Sequence, residues 1–155
     1  IIFNLFRQDA AATLLPKAAE KNVGIIVRLP LASGLLSGKF DKDTVFEATD
    51  HRNYNADGQA FSVGETFAGI EFGRGVELVT ELRGLAPSGM EMSQFALRWI
   101  LDHPQVSTVI AGVSKPEQIA DNVAASELKS LFPALMGQLG RWYEESVKPE
   151  IRGGV

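Results

Sequence analysis

From Ile1 to Arg28 the chain runs through an apolar stretch (Ile1 to Phe6), a helical stretch (Asp9 to Lys21) and a second apolar stretch, Ile25-Ile26-Val27. In the middle piece Ala11, Leu14, Leu15, Ala18 and Ala19 recur at helical spacing, and Asn22-Val23-Gly24 ends it. Two strands joined by a helix must run parallel, because a hairpin turn cannot do the work of a crossover. The uniformly apolar second strand is expected to be buried on both faces. Pattern alone therefore makes the fold α/β.

The rest of the chain continues this alternation after a long irregular stretch, Pro30 to Ile70, rich in Gly, Asp and Asn. Loops of that length inside a compact domain are usually functional or disordered. Val76, Val79, Leu82 and Leu85 mark a helix over Phe72 to Leu85, and the helix Ser93 to His103 is apolar nearly all round, as in a buried helix. Val106 to Ile110 is a third strand, Pro116 to Ala125 its helix, and Leu131 to Val147 a last amphipathic helix. With 155 residues, 45% hydrophobic and 22% charged, one domain with a real core is expected. Ile1 falls inside a strand-like run, which reads as a piece of a larger protein.

The segment Val109 to Asn122, VIAGVSKPEQIADN, has the order of an anion site: strand, glycine, small polar and basic turn, helix opened by Pro116. The first N–H groups of a helix lack partners and carry partial positive charge, so a phosphate fits there beside Ser114 and Lys115. Gln118, Asp121 and Asn122 follow within one turn and could read a ribose or an adenine edge. An ordinary strand–turn–helix unit with solvated polar residues fits the same pattern. A net charge of −4 argues against broad attraction to nucleic acid or an anionic membrane, and no apolar run is long enough to span a bilayer. The chain has no cysteine, which excludes disulfides, thiolate zinc sites and a thiol nucleophile and suits a reducing cytoplasm. No metal site is expected.

The segments FNLFRQ, GIIVRLPLASGLLSGKF and FALRWILDHPQVSTVIAGVSKPEQIADN, in that order, resemble the carboxyl-terminal half of the aldo-keto reductase superfamily. The resemblance implies a (β/α)8 TIM barrel, of which this chain supplies strands six to eight and is incomplete as given. It implies NADPH as cofactor, less often NADH, held without a Rossmann glycine fingerprint, and a small carbonyl substrate. The family loop around the pyrophosphate is matched by Pro30, Leu31, Ser33, Gly34, Leu36, Gly38 and Lys39, and the family positions for the adenosine end by Gly112, Ser114, Lys115, Gln118, Asp121 and Asn122. Lys115 and Ser114 would meet a 2′-phosphate, which favours NADPH, and Asp121 doubles as a solvated helix charge. Arg28 stands where the family usually stacks an aromatic ring on the nicotinamide; a guanidinium can also stack, and an internal ion pair is its other reading.

The family's catalytic tyrosine, lysine, aspartate and histidine lie in its amino-terminal half, and nothing here matches them. His103 suits a structural role at a helix end, and His51 with Tyr54 sits in the loop HRNYN, a solvated loop or a lid. Phe46, Tyr54, Phe61 and Phe67, from the loop spanning 40–69, are candidate pocket walls or core. The parent is thus expected to be an oxidoreductase of aldehydes or ketones, this chain carrying the cofactor-binding half and needing the amino-terminal half of the barrel for activity. Two rivals are a non-catalytic NADP-binding regulator, as in potassium-channel beta subunits, and a half-barrel that pairs with itself across its open strand edges.

Overall fold

A computed structural model of the chain describes residues 1–153. The first segment is extended only at its start: the Ile1 carbonyl accepts from the Arg28 N–H at 2.9 Å, and Ile2 bridges Arg28 in parallel. Asn4 then turns the chain. Its Oδ1 accepts from the Phe6 N–H and its carbonyl from the Arg7 N–H, both at 2.9 Å. The strand expected over Ile1 to Phe6 is thereby cut to two isolated bridges, Ile2 with Arg28 and Asn4 with Arg7, because the Asn4 side chain offers the backbone a local partner instead of a ladder.

Helix α1 (Ala10–Glu20) buries Leu15 and Ala18 and ends as the sequence suggests. Asn22 takes φ 53°, and the Val23 N–H returns to the Ala18 carbonyl at 2.8 Å, the left-handed exit that Asn tolerates. Strand β1 (Ile25–Arg28) follows. The crossover then holds the single turn α2 (His51–Tyr54), α3 (Phe72–Arg83) and α4 (Met92–Leu101), and leads to β2 (Val106–Ile110), which pairs with β1 in parallel. Helices α5 (Glu117–Ala124) and α6 (Pro133–Trp142) complete the chain. Beyond α6 the expected helix continues as a wider turn over Tyr143–Val147, and its start is set by Pro133, suited to a first helical position.

Glu71 caps α3 by accepting from the N–H groups of Gly73 and Arg74 at 3.0 and 2.9 Å, which aims Leu78, Val79 and Leu82 inward. Every residue from Phe95 to Ile100 in α4 is buried, as its apolar circumference predicts. The one charge among them, Arg98, pairs with Asp102 at 3.0 Å and donates to three carbonyls after α5. These helices cover only one face of the sheet. Ile25 and Val27 are buried, whereas Ile26 and Ile110 are 53% and 61% exposed. The register places Ile26 beside Thr108 and Arg28 beside Ile110, so the four share the open face. Burial of β1 on both faces is therefore corrected to one, because no helix of this chain covers the other. Among the described residues no helix is long and apolar enough to cross a membrane.

His103 closes α4, its Nδ1 2.9 Å from the Trp99 carbonyl and its ring packed on Phe3 and Trp99. Burial holds its pKa below the ordinary histidine value. The unfolded chain thus takes up a proton first, and stability is expected to fall as the pH drops below about 6.5. Thermal unfolding between pH 8 and pH 5 checks this, with His103→Asn expected to flatten that part of the profile.

Candidate functional site

Parallel pairing sends the chain out of β1 and β2 at the same end of the sheet. The loop after β1 is wound tightly: Leu29, Ala32 and Ser33 take φ values of 53°, 47° and 56°, and Gly34 and Gly38 take 97° and 70°. Left-handed backbone at non-glycine residues costs on the order of 1–3 kcal/mol each and persists only where neighbours enforce it. Here Asn4 Nδ2 donates to the Leu29 carbonyl at 2.8 Å, and Ser37 Oγ to the Gly34 carbonyl at 2.6 Å. Ser33 Oγ donates to the Glu65 carbonyl and accepts from the Phe67 N–H, both at 3.3 Å.

After β2 the turn at Gly112 to Pro116 leads into α5. The Gln118 side chain folds back over its start, and Oε1 accepts from the Ser114 and Lys115 N–H groups at 2.7 and 3.2 Å and from Ser114 Oγ at 3.3 Å. Three donors thus converge on one oxygen, a donor set that suits a phosphate oxygen.

The two loops line one cavity of about 580 Å3. Pro30, Leu31, Ser33, Gly34 and Lys39 come from the first, Gly112, Ser114 and Gln118 from the second. Outside its wall, Lys115 lies exposed just before α5, and Asp121 and Asn122, exposed and half-buried, lie in the second half of that helix. Leu36 is buried in the core, and Gly38 packs against Met92 and Arg83, so both shape the loop from behind. Arg28 faces the neighbouring cavity, where its guanidinium grips Glu65 through two bonds of 3.0 and 3.1 Å. That pairing raises the arginine pKa and lowers the carboxylate's, and both side chains stay partly in water.

Two further residues on the wall are His51 and Arg52. Asp50 caps the single turn of α2 through the Arg52 N–H and holds the guanidinium at 2.6 and 3.0 Å, which keeps its own carboxyl at about 2. Arg52 lies over the rings of Phe46 and Phe40, 4.4 and 5.5 Å from their centroids. The signal in sequence was the pair Asp50 and Arg52 near two phenylalanines. Lys39 and Arg52 reach the cavity, and no carboxylate lines it among the described residues.

The remaining candidates lie elsewhere. Phe46 and Phe67 pack with Phe40 and Phe72 in an aromatic cluster, whereas Tyr54 and Phe61 form an exposed edge-to-face pair. Tyr143 is buried, and burial pushes its hydroxyl up to about 12. No group of three or more metal-ligating side chains is present among the described residues.

Residues 1–139 match the model of the Aldo/keto reductase family. A protein of Schizosaccharomyces pombe designated a voltage-gated potassium channel subunit beta is 32% identical over 136 residues, 87% of this chain and 38% of its own length. An aldo-keto reductase of Bacillus subtilis is 29% identical over 76% of this chain and 33% of its own. The structure of the glycerol dehydrogenase of Gluconobacter oxydans superposes on 99% of this chain with a TM-score of 0.73 and 25% identity, using 44% of that enzyme. The chain thus spans about two fifths or less of the length of the relatives it matches.

The loop after β1 depends on Gly34, where an added Cβ would meet the Phe40 ring at 3.0 Å in a left-handed backbone. Gly34→Ala is expected to cost about 1–3 kcal/mol. Gly112→Ala, which meets nothing within 4 Å, should stay within about 1 kcal/mol of the wild type in urea unfolding.

Proposed function

The chain belongs to the aldo/keto reductase family, and from that premise we propose that it is the cofactor-binding half of an NADPH-dependent reductase of aldehydes or ketones. The observation that carries this is the one cavity shared by the loops after β1 and β2, with the Ser114 and Lys115 N–H groups converging on a single acceptor and, among the described residues, no carboxylate on its wall. The donor set fits a dinucleotide phosphate: Gln118 Oε1 already occupies the place of an acceptor between Ser114 and Lys115.

In this reading Ser114 and the Lys115 ammonium hold the 2′-phosphate, Gln118 yields its place or turns to the ribose, and Asn122 meets the adenine. The backbone from Pro30 to Lys39 wraps the pyrophosphate, where Gly34 lets the ligand approach closely. Arg52, steadied by Asp50, adds charge over Gly34. Arg28 lies at the nicotinamide end, its plane fixed by Glu65. When bound, the cofactor supplies the hydride for the carbonyl carbon.

We also propose that the Ile2 segment, β1 and β2 are strands six to eight of a (β/α)8 barrel. The open face bearing Ile26 and Ile110 then belongs to its interior. The catalytic tyrosine, lysine, aspartate and histidine come from the amino-terminal half. Tyr54 and Tyr143 line neither cavity, which agrees with that division. A second reading, an NADP-binding regulatory subunit, draws on the similarity to the fission-yeast channel subunit and uses the same cofactor site.

Fluorescence titration of the purified chain with NADPH and NADH tests the proposal. NADPH is expected to bind the more tightly, and Lys115→Ala to weaken it by about ten- to a hundredfold, the worth of one charge-assisted hydrogen bond, with little change for NADH. Equal affinity for the two nucleotides, or indifference to Lys115, would contradict it.

A further inference from the structure

The larger cavity, about 820 Å3, lies beyond the Arg28–Glu65 pair at the end of the first segment. Three cations and two carboxylates line it. Arg28 holds Glu65 at 3.0 Å, and Lys148 holds Asp9 at 2.9 Å. Arg7 has no carboxylate among the described residues. Its Nε donates to the Ala68 carbonyl at 2.9 Å and one terminal nitrogen to the Gly153 carbonyl at 3.3 Å, and the residue is only 7% exposed.

Carbonyls satisfy hydrogen bonds but do not neutralise the charge, and no carboxylate among the described residues pairs with it directly. Desolvation accordingly pulls the Arg7 pKa down, against the smaller opposing influence of Tyr143 and Asp9. Space for the guanidinium is built in: a Cβ at Gly69 would come within 2.9 Å of its nitrogen. With Nε and one terminal nitrogen held by those carbonyls, the remaining guanidinium N–H groups are left to donate to an anion in the cavity that Arg7 lines, and the arrival of that anion supplies a countercharge. We infer that this cavity receives a carbonyl compound bearing an oxyanion, carboxylate or phosphate, and that Arg7 is the residue that selects it. The carbonyl part of this inference rests on the reductase reading; the anion part stands on Arg7 alone.

Two matched pairs test it on the purified chain by saturation-transfer NMR: succinic semialdehyde against butyraldehyde, and glycolaldehyde phosphate against glycolaldehyde. The charged member of at least one pair is expected to bind at least about tenfold more tightly, and the pair that responds tells carboxylate from phosphate. Arg7→Gln should abolish the preference and Arg7→Lys keep much of it. Should Arg7→Gln fail to fold, added salt supplies the control, expected to weaken only the charged member in the wild-type chain. Equal binding of charged and neutral members, or a preference that survives in folded Arg7→Gln, would overturn the inference. NADPH binding without anion preference leaves the reductase reading standing and this inference refuted. Anion preference without NADPH binding does the reverse for the anion site.

Discussion

Everything at the candidate site depends on the parallel pairing of β1 with β2. Val27 beside Val109 and Arg28 beside Ile110 fix both the direction and the level at which the two strands end. Two loops far apart in sequence are thereby delivered to one place, each carrying a different part of the same cavity wall. Antiparallel pairing would have put them at opposite ends of the sheet, with no common cavity between them.

The second requirement is that a strained loop be held still. Strain at Leu29, Ala32 and Ser33 faces further left-handed residues at Phe67 and Ala68, and Ser33 ties the two runs together. The long crossover stretch is ordered by polar anchors and rings rather than by regular secondary structure. Asn55, fully buried, donates to Thr66 and accepts from Ala60 and Phe61, while Phe40, Phe46, Phe67 and Phe72 close on one another. Arg152 fastens the far end: its N–H and Nε both reach the Gly69 carbonyl at 3.0 Å, and it grips Asp57 at 2.7 Å. The same few residues thus shape both cavities, with Ser33 on one side of the divide and Glu65 on the other.

Helical periodicity and the short apolar strands were readable in the sequence, because each depends on neighbours three, four or two residues away. So were the two loops that line the smaller cavity, whose glycines and polar side chains stand close together in the chain. What was hidden depended on partners distant in sequence. Nothing local announces that Arg28 will meet Glu65, or that Arg7 will be buried against the carbonyls of Ala68 and Gly153. The exposure of Ile26 was hidden for a different reason: an apolar strand shows the face it is suited to bury, and the chain at hand covers one face only.

Hydrogen exchange of the purified chain with and without saturating NADPH tests the central claim most directly, since it reads both loops in one experiment. The account predicts added protection in residues 29–39 and 112–122 together, with 50–53 following, and no change in α1 or α6. Protection confined to one loop, or gained only away from both, would contradict a single cradle built by the parallel strands.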